Sequence, residues 1–346
     1  MLAWSLMQQQ KSVLVISNDK PSASHIAAGL INPVTGKRLV KSDHISDYIE
    51  TVNSVYGSLE NFFEKKFLHH VSMLRILKSN DGKKAWEKRI NDPDYHPYLG
   101  PLNENPHLDN YNTPFGSFTQ QHTGWLDIPE LLNSLKCFFI ENNSYLCAQP
   151  EYDEIQFQPD SIKYKSHTAR QLIFCEGYHA QNNPLFSWLP FKPAKGEILT
   201  CKSQEELSNK IINAGQWILP VSETVFRSGA TYQWNELNEQ TDINTRNTLQ
   251  TGLEQIFIQP PEYELIDHKA GVRPCTADGQ PFTGFHPEIQ PAGIFNGFGS
   301  RGSLTIPYYA TQMTLLITKQ KPLPAHADIL RHQKKYNEHI TNTTRT

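Results

Sequence analysis

Short apolar segments that end in glycine recur along this chain and constrain its fold more than any other feature. They occupy residues 26–29 (IAAG), 174–177 (FCEG) and 295–299 (FNGFG). Nucleotide cofactors bind at the carboxyl ends of parallel strands, where glycine lets a backbone N–H approach a phosphate or a ring without an intervening Cβ. One such segment is ordinary turn chemistry. Together they favour an α/β fold with a nucleotide-type cofactor.

Composition excludes several classes of protein. Hydrophobic residues make up 38% of the 346 residues, aromatic residues 11% and charged residues 19%, which is unlike a disordered chain. The length suits one large domain or two interleaved domains. The net charge of −3 gives no general attraction to phosphate backbones or anionic lipid, so we expect neither a nucleic-acid nor a membrane partner. The oligomeric state stays open.

The cysteines indicate a reducing compartment. They are odd in number, far apart and without a CxxC pair: Cys137, Cys147, Cys175, Cys201 and Cys275. This pattern favours free thiols over disulfides or a zinc site, and we expect no metal. The apolar start, residues 1–7, is too short for a signal peptide or a membrane span. We therefore expect a cytoplasmic protein.

Hydrophobic periodicity predicts the main elements. Continuous apolar runs at residues 13–16, 171–176 and 293–298 are typical of buried parallel strands. Apolar residues at helical spacing predict a long amphipathic helix over residues 45–63. Asp127 and Glu130 have capping-box spacing and predict the start of a second helix.

The pattern changes after Gly196. Strands are predicted at residues 196–201, 217–221 and 225–234, with one helix between them that begins at Ser203 and ends at Gly215. Strands adjacent in sequence without regular crossover helices favour an antiparallel layer. Pro307 is expected to be the first residue of a later helix.

The order and spacing of these motifs resemble the FAD-dependent oxidoreductases of the D-amino-acid oxidase and glycine oxidase type, over nearly the whole chain. The resemblance rests on residues 22–36 (SASHIAAGLINPVTG), Gly124-Trp125 with Asp127, and residues 195–199 (KGEIL), 229–232 (GATY), 271–279 (GVRPCTADG) and 297–302 (GFGSRG). The last two motifs are the most specific.

The resemblance implies an α/β fold with two domains. A Rossmann-like FAD-binding domain would comprise residues 1–40, 124–190 and 268–330. A second, α+β substrate domain, residues 41–123 and 191–267, would be built on an antiparallel sheet that covers the flavin. Residues 331–346 would form a polar tail.

The resemblance also implies roles for individual residues. Ser22, Ala27, Ala28 and Gly29 would approach the flavin and its diphosphate, and Gly177 would pass the adenosine. The pyrimidine edge of the flavin would be surrounded by Gly297, Gly299, Ser300, Arg301 and Gly302. Arg273 would bind the substrate carboxylate, a task that suits the guanidinium fork. Tyr232 and His25 are candidates to border the substrate, with packing an equal alternative, and Cys275 is expected to be an ordinary thiol.

The sequence departs from the family in two places. The first strand and the GxGxxG turn should precede Leu2, so residues 13–16 should have strand neighbours on one side only. Either the start codon was assigned too far downstream, the explanation we favour, or the gene is degraded and its product binds FAD poorly. At the position where relatives have an acidic residue that binds the adenosine ribose, this sequence has Ser17. Asp19 could substitute if the loop bends, but a solvated turn carboxylate is the favoured alternative.

The resemblance predicts a FAD-dependent oxidoreductase that oxidises a small amine or amino acid by hydride transfer to the flavin. Such chemistry needs little side-chain acid or base, which agrees with the absence of a recognisable nucleophile triad. One alternative is the oxidase of tRNA wobble-uridine modification, and another is a catalytically impaired, truncated remnant.

Overall fold

The chain forms two compact units, each built from separate stretches of sequence. A computed structural model describes residues 1–343. The first unit contains Met1–His25, Pro129–Ala194 and the chain from Val272 onward, and the second contains Ile26–Ile128 and Lys195–Gly271. Residues 26–40, which the resemblance assigns to the FAD-binding domain, lie in the second unit because Leu30–Ile31 pairs with Gly124–Leu126.

Parallel strand pairs occur in the first unit. Val15–Ser17 pairs with Tyr145–Cys147, and Leu172–Phe174 pairs with Ala292–Asn296. Phe282–Phe285 extends the second sheet, and a meander of short strands is formed by Ile155–Gln158, Ser161–Tyr164 and His167–Ala169. Within residues 1–343 the Val15–Ser17 strand is paired on one edge only, as the sequence predicts.

An eight-stranded sheet dominates the second unit. Its strands, in spatial order, are Tyr263–Arg273, Ala194–Ser203, Val225–Gly229, Gln216–Pro220, Ile211–Ala214, Met73–Ile76, Ser117–Gln120 and Leu99–Asn103. From Ala194–Ser203 to Leu99–Asn103 the neighbouring strands are antiparallel, apart from the parallel pair of Ile211–Ala214 with Met73–Ile76. The predicted antiparallel layer, and with it the two-part α/β fold class, is confirmed. Shorter strands of this unit are Leu30–Ile31, Val34–Thr35, Val40–Lys41, Leu68–His70, His107–Leu108, Tyr111–Asn112 and Gly124–Leu126.

The helices follow the amphipathic pattern where that pattern is strong. The predicted helix over residues 45–63 is confirmed, and it buries Tyr48, Val52, Tyr56 and Leu59 along one face. The α-helices of the described chain are Leu2–Gln8, Ala23–Ile26, Ile45–Phe63, Asn80–Ile90, Ile128–Glu141, Ile243–Glu254, Gly302–Lys319 and Gln333–Thr343. Among residues 1–343, no helix has the length and apolarity that crossing a bilayer requires.

The predicted helix between Ser203 and Gly215 is wrong. The Ser203 hydroxyl instead accepts a hydrogen bond from the Glu205 N–H, at 3.1 Å, within a turn. The following strand, Ile211–Ala214, is buried at every position because it lies between two other strands.

The expected helix start at Pro307 is also wrong, because the helix begins at Gly302 and includes Pro307. The predicted polar tail is helical over Gln333–Thr343, and its Tyr336 ring packs on Trp188. Residues 344–346 lie outside the described residues.

Candidate active site

Two of the predicted cofactor glycines are joined by one buried side chain. Gly177 and Gly297 follow the parallel strands Leu172–Phe174 and Ala292–Asn296, so both lie at the carboxyl edge of this sheet. The Asn296 amide donates from Nδ2 to the Gly177 carbonyl at 2.9 Å and accepts the Gly297 N–H on Oδ1 at 2.7 Å. Asn296 was not predicted from the sequence as a site residue, although a polar residue at the end of an apolar strand could have indicated it.

These two glycines differ in the space around them, and Gly177 has the space that a cofactor would need for a close approach. Gly177 has φ of +60°, and a Cβ built on it would meet no heavy atom within 4 Å. This open face is what the predicted adenosine contact requires. Gly297 is different, because its Cβ would lie 2.7 Å from the Thr276 Cγ2. Packing therefore explains Gly297 without a ligand.

The predicted flavin-edge loop, residues 297–302, lies against the segment that contains Arg273. Arg273 is the half-buried last residue of its strand. The Gly299 N–H donates to the Pro274 carbonyl at 3.2 Å. The Arg301 guanidinium donates to the Gly279 carbonyl at 3.1 Å, so the 271–279 motif is bound to the loop at two points, Pro274 and Gly279.

The helix Gly302–Lys319 begins where this loop ends, and exposed Ser300 lies just before it. The N-terminus of a helix carries unpaired N–H groups and a partial positive charge. Such an end can stabilise negative charge on a bound group, as the resemblance implies for the pyrimidine edge of a reduced flavin.

Cys275 has the properties of an ordinary thiol. Burial raises its thiol pKa, and the nearby positive charge of Arg273 opposes that shift without cancelling it. A raised pKa keeps the thiol protonated and weakly nucleophilic. All five cysteines are free in the structure.

The predicted residues at the start of the first unit interact with each other. The His25 Nδ1 accepts the Ser22 backbone N–H at 3.1 Å and lies 3.1 Å from the Ser22 hydroxyl. Asp19 is engaged by its own neighbours, Lys136 at 2.8 Å and the Tyr145 hydroxyl. These bonds, together with one to Cys147, lower the pKa of Asp19 to about 2. A ribose hydroxyl would have to share this carboxylate with them.

The remaining predicted flavin contacts lie in the second unit. Gly29 has φ of +74°, and a Cβ there would stand 2.0 Å from the Leu126 carbonyl oxygen, so close strand packing requires glycine. The guanidinium of Arg227 donates to the carbonyls of Ile26 and Ala27, directly before Ala28 and Gly29. The sequence analysis missed Arg227, whose signal was a lone charge in the strand VFRSG.

Tyr232 lies on a connecting segment and is 45% exposed, with its ring centroid 6.0 Å from that of Trp234. The start of this segment is fixed by the Glu197 N–H, which donates to the Thr231 hydroxyl at 3.0 Å. Glu197 is fully buried.

Solved structures with the same fold include several amine oxidases. Glycine oxidase from Geobacillus kaustophilus superposes with a TM-score of 0.81 at 15% identity, covering 96% of this chain and 94% of that one. Iminodiacetate oxidase from Chelativorans sp. BNC1 gives a TM-score of 0.76 at 16% identity, covering 94% and 95% of the two chains.

A curated relative is the tRNA 5-methylaminomethyl-2-thiouridine biosynthesis bifunctional protein MnmC of Legionella pneumophila (strain Corby). It is 25% identical over 307 residues, which cover 78% of this chain. The match spans 44% of the relative's length.

A family model described as FAD dependent oxidoreductase matches residues 1–316. The match includes the candidate residues from Ser22 to Gly302 in both units. The predicted family is therefore confirmed: this chain belongs to the FAD-dependent oxidoreductases of the D-amino-acid oxidase type.

Proposed function

We propose that this protein oxidises a small amine that carries a carboxymethyl group, N–CH2–COO⁻, with FAD as the cofactor. The observation that carries the proposal is the bond from the Gly299 N–H to the Pro274 carbonyl, which holds the Arg273 segment against the flavin-edge loop. Glycine and iminodiacetate, which appear in the names of the structural neighbours, share this carboxymethylamine unit.

Arg273 supplies the specificity for the carboxylate. Its guanidinium can donate two parallel hydrogen bonds to the two carboxylate oxygens of the substrate. Fixing the carboxylate fixes the adjacent CH2 carbon, so the contribution of the protein is mainly orientation. Bound FAD would supply the two-electron acceptor for the hydride that leaves this carbon.

A second candidate is a carboxymethylaminomethyl group on a tRNA wobble uridine. The match to a protein of tRNA 5-methylaminomethyl-2-thiouridine biosynthesis favours it. The net charge of −3 opposes it, because RNA binding usually depends on a basic surface. Filter binding of tRNA at physiological salt separates the candidates: retention there supports the tRNA substrate, and its absence supports the small amine.

The test of the main proposal compares amines that differ only in the carboxylate. Protein reconstituted with FAD should oxidise glycine or iminodiacetate and should oxidise methylamine far more slowly. Arg273→Ala should raise KM for the carboxylated amines while leaving the slow methylamine rate unchanged. Equal turnover of glycine and methylamine would refute carboxylate recognition. A colourless protein that takes up no added FAD would instead support a non-catalytic remnant.

A further inference from the structure

Arg227 is a charged side chain on an apolar sheet face. It lies in the strand Val225–Gly229 opposite Leu219, on the face that also contains Met73 and Ile198. Burial lowers the pKa of its guanidinium, and the carboxylates of Asp267 and Asp127 partly offset that effect. A partly buried cation requires hydrogen-bond acceptors, so the identity of its acceptors indicates its role.

The acceptors are two consecutive carbonyls about 200 residues away in sequence. Nη1 donates to the Ala27 oxygen at 3.0 Å, and Nη2 donates to the Ile26 oxygen. In a trans peptide group the C=O and the following N–H point in opposite directions. Because both carbonyls point toward Arg227, the N–H groups of Ala27 and Ala28 point away from it.

We propose that Arg227 is a positioning residue for the cofactor: its fork fixes two peptide groups at the end of the helix Ala23–Ile26 so that the Ala28 N–H group is presented to FAD. This inference rests on the proposed flavin contacts at residues 27–29. A lysine could bind one of the carbonyls but could not hold both in one planar geometry. The role therefore depends on the guanidinium fork as well as on the charge.

Arg75 provides a matched control in the same unit. It lies in the strand Met73–Ile76, and its Nη2 donates to the Gly36 carbonyl at 2.8 Å. Burial lowers the pKa of Arg75 to about 10, so it too is a partly buried cation that binds a backbone carbonyl. Gly36 lies beyond the proposed flavin contacts. Loss of Arg75 should therefore affect folding without affecting the bound flavin.

The experiment compares Arg227→Met, Arg227→Lys and Arg75→Met. For each purified variant, the Kd for FAD is measured by flavin fluorescence, the visible spectrum of the bound flavin is recorded, and the melting temperature of the apoprotein is determined. Arg227→Met should raise the Kd about tenfold, the effect of losing a hydrogen bond to a charged group, and should shift the flavin spectrum. Arg227→Lys should fall between wild type and Arg227→Met. Arg75→Met should melt earlier but keep the wild-type Kd and spectrum.

Other results would contradict the positioning role of Arg227. Wild-type Kd and spectrum in Arg227→Met, or an equal loss of FAD affinity in Arg75→Met, would overturn the positioning role. If Arg227→Met does not fold, Arg227→Lys decides, and wild-type Kd and spectrum in that variant would overturn the proposal. A wild-type protein that binds no FAD would refute the proposed function itself.

Discussion

The Gly299 N–H donates a hydrogen bond to the Pro274 carbonyl at 3.2 Å, and Pro274 directly follows Arg273. This backbone bond couples the predicted flavin-edge loop, residues 297–302, to the proposed carboxylate-binding residue. Gly299 has φ of +54°, and a Cβ there would stand 3.3 Å from the Cys275 Sγ. Glycine is therefore favoured at position 299 for two reasons: the backbone is left-handed, and little space is left beside Cys275.

Gly299→Ala should therefore weaken FAD binding and lower the free energy of unfolding. The left-handed conformation alone costs a non-glycine residue about 1–2 kcal/mol. Gly36→Ala is a matched control, since Gly36 has φ of +72° but no heavy atom within 4 Å of a built Cβ. Urea denaturation and FAD titration of both variants provide the measurement. Equal losses of FAD affinity in the two variants would show that the contact with Cys275 is irrelevant.

Asn296 should be needed for the alignment of Gly177 and Gly297. Asn296→Ala removes both hydrogen bonds and leaves a buried N–H and a carbonyl without their partner, at about 1–3 kcal/mol for each buried group left unsatisfied. Asn296→Asp keeps an acceptor for the Gly297 N–H but places an oxygen against the Gly177 oxygen. Both variants should bind FAD more weakly in calorimetric titration. Unchanged FAD affinity in both variants would show that Asn296 does not contribute to the cofactor site.

The buried carboxylate of Glu197 should be coupled to Lys195. Glu197 lies 3.5 Å from the Lys195 Nζ and 2.7 Å from the His268 Nε2, and it accepts the Asp242 N–H at 3.1 Å. Glu197→Ala leaves an uncompensated buried cation and should cost about 3–5 kcal/mol of unfolding free energy.

The double variant Lys195→Met with Glu197→Met should lose less stability than the two single methionine variants added together. Chemical denaturation of all three provides the double-mutant cycle. Additive losses would show that the pair is not coupled.

Stability should fall as the pH drops below neutrality, in part through His286. Its Nδ1 accepts the backbone N–H groups of Glu288 and Ile289 at 3.2 and 3.0 Å, and burial lowers the pKa of His286 below its ordinary 6.5. The unfolded chain therefore binds a proton first. The contribution of His286 is complete above pH 6.5 and is lost as the pH falls through that value toward the lower folded pKa.

Thermal unfolding between pH 8 and pH 5, a range of about 1.5 units on either side of an ordinary histidine pKa, measures this effect. His286→Gln should flatten the dependence, whereas substitution of the exposed His167 by Gln should leave it unchanged. The same slope in His286→Gln and wild type would contradict the assignment. His69 and His332, whose pKa values burial also lowers, contribute to the slope that remains.

Local sequence patterns predict the elements of this fold that depend on residues close together in the sequence. The helix Ile45–Phe63 was predictable because its apolar residues recur at helical spacing. The predicted helix between Ser203 and Gly215 does not form because Ile212 lies in a strand, opposite Ile218 on one side and Leu74 on the other. Leu74 is distant in sequence from this segment, and the packing of the strand within the sheet outweighs the local helix signal.

The candidate site also contains residues that local sequence patterns predict and residues that they do not. Glycine motifs such as residues 297–302 were predictable because glycine at the end of an apolar run marks a turn or a close approach to the backbone. The bonds of Asn296 and Arg227 cross 119 and about 200 residues, so no local window contains both partners. The family resemblance supplied the order of the motifs, and only the structure supplied these side-chain connections.

Anaerobic mixing of the FAD-reconstituted protein with iminodiacetate tests the central proposal most directly, because it separates substrate binding from hydride transfer. We expect wild-type protein to lose its visible flavin absorbance, and we expect the rate of this loss to saturate with iminodiacetate concentration. Arg273→Ala should need at least about tenfold more iminodiacetate for half-saturation, the loss expected when one charge-assisted pair is removed. Bleaching with an unchanged half-saturation concentration in Arg273→Ala would contradict carboxylate binding by Arg273, and flavin that stays oxidised in wild type would contradict carboxymethylamine oxidation.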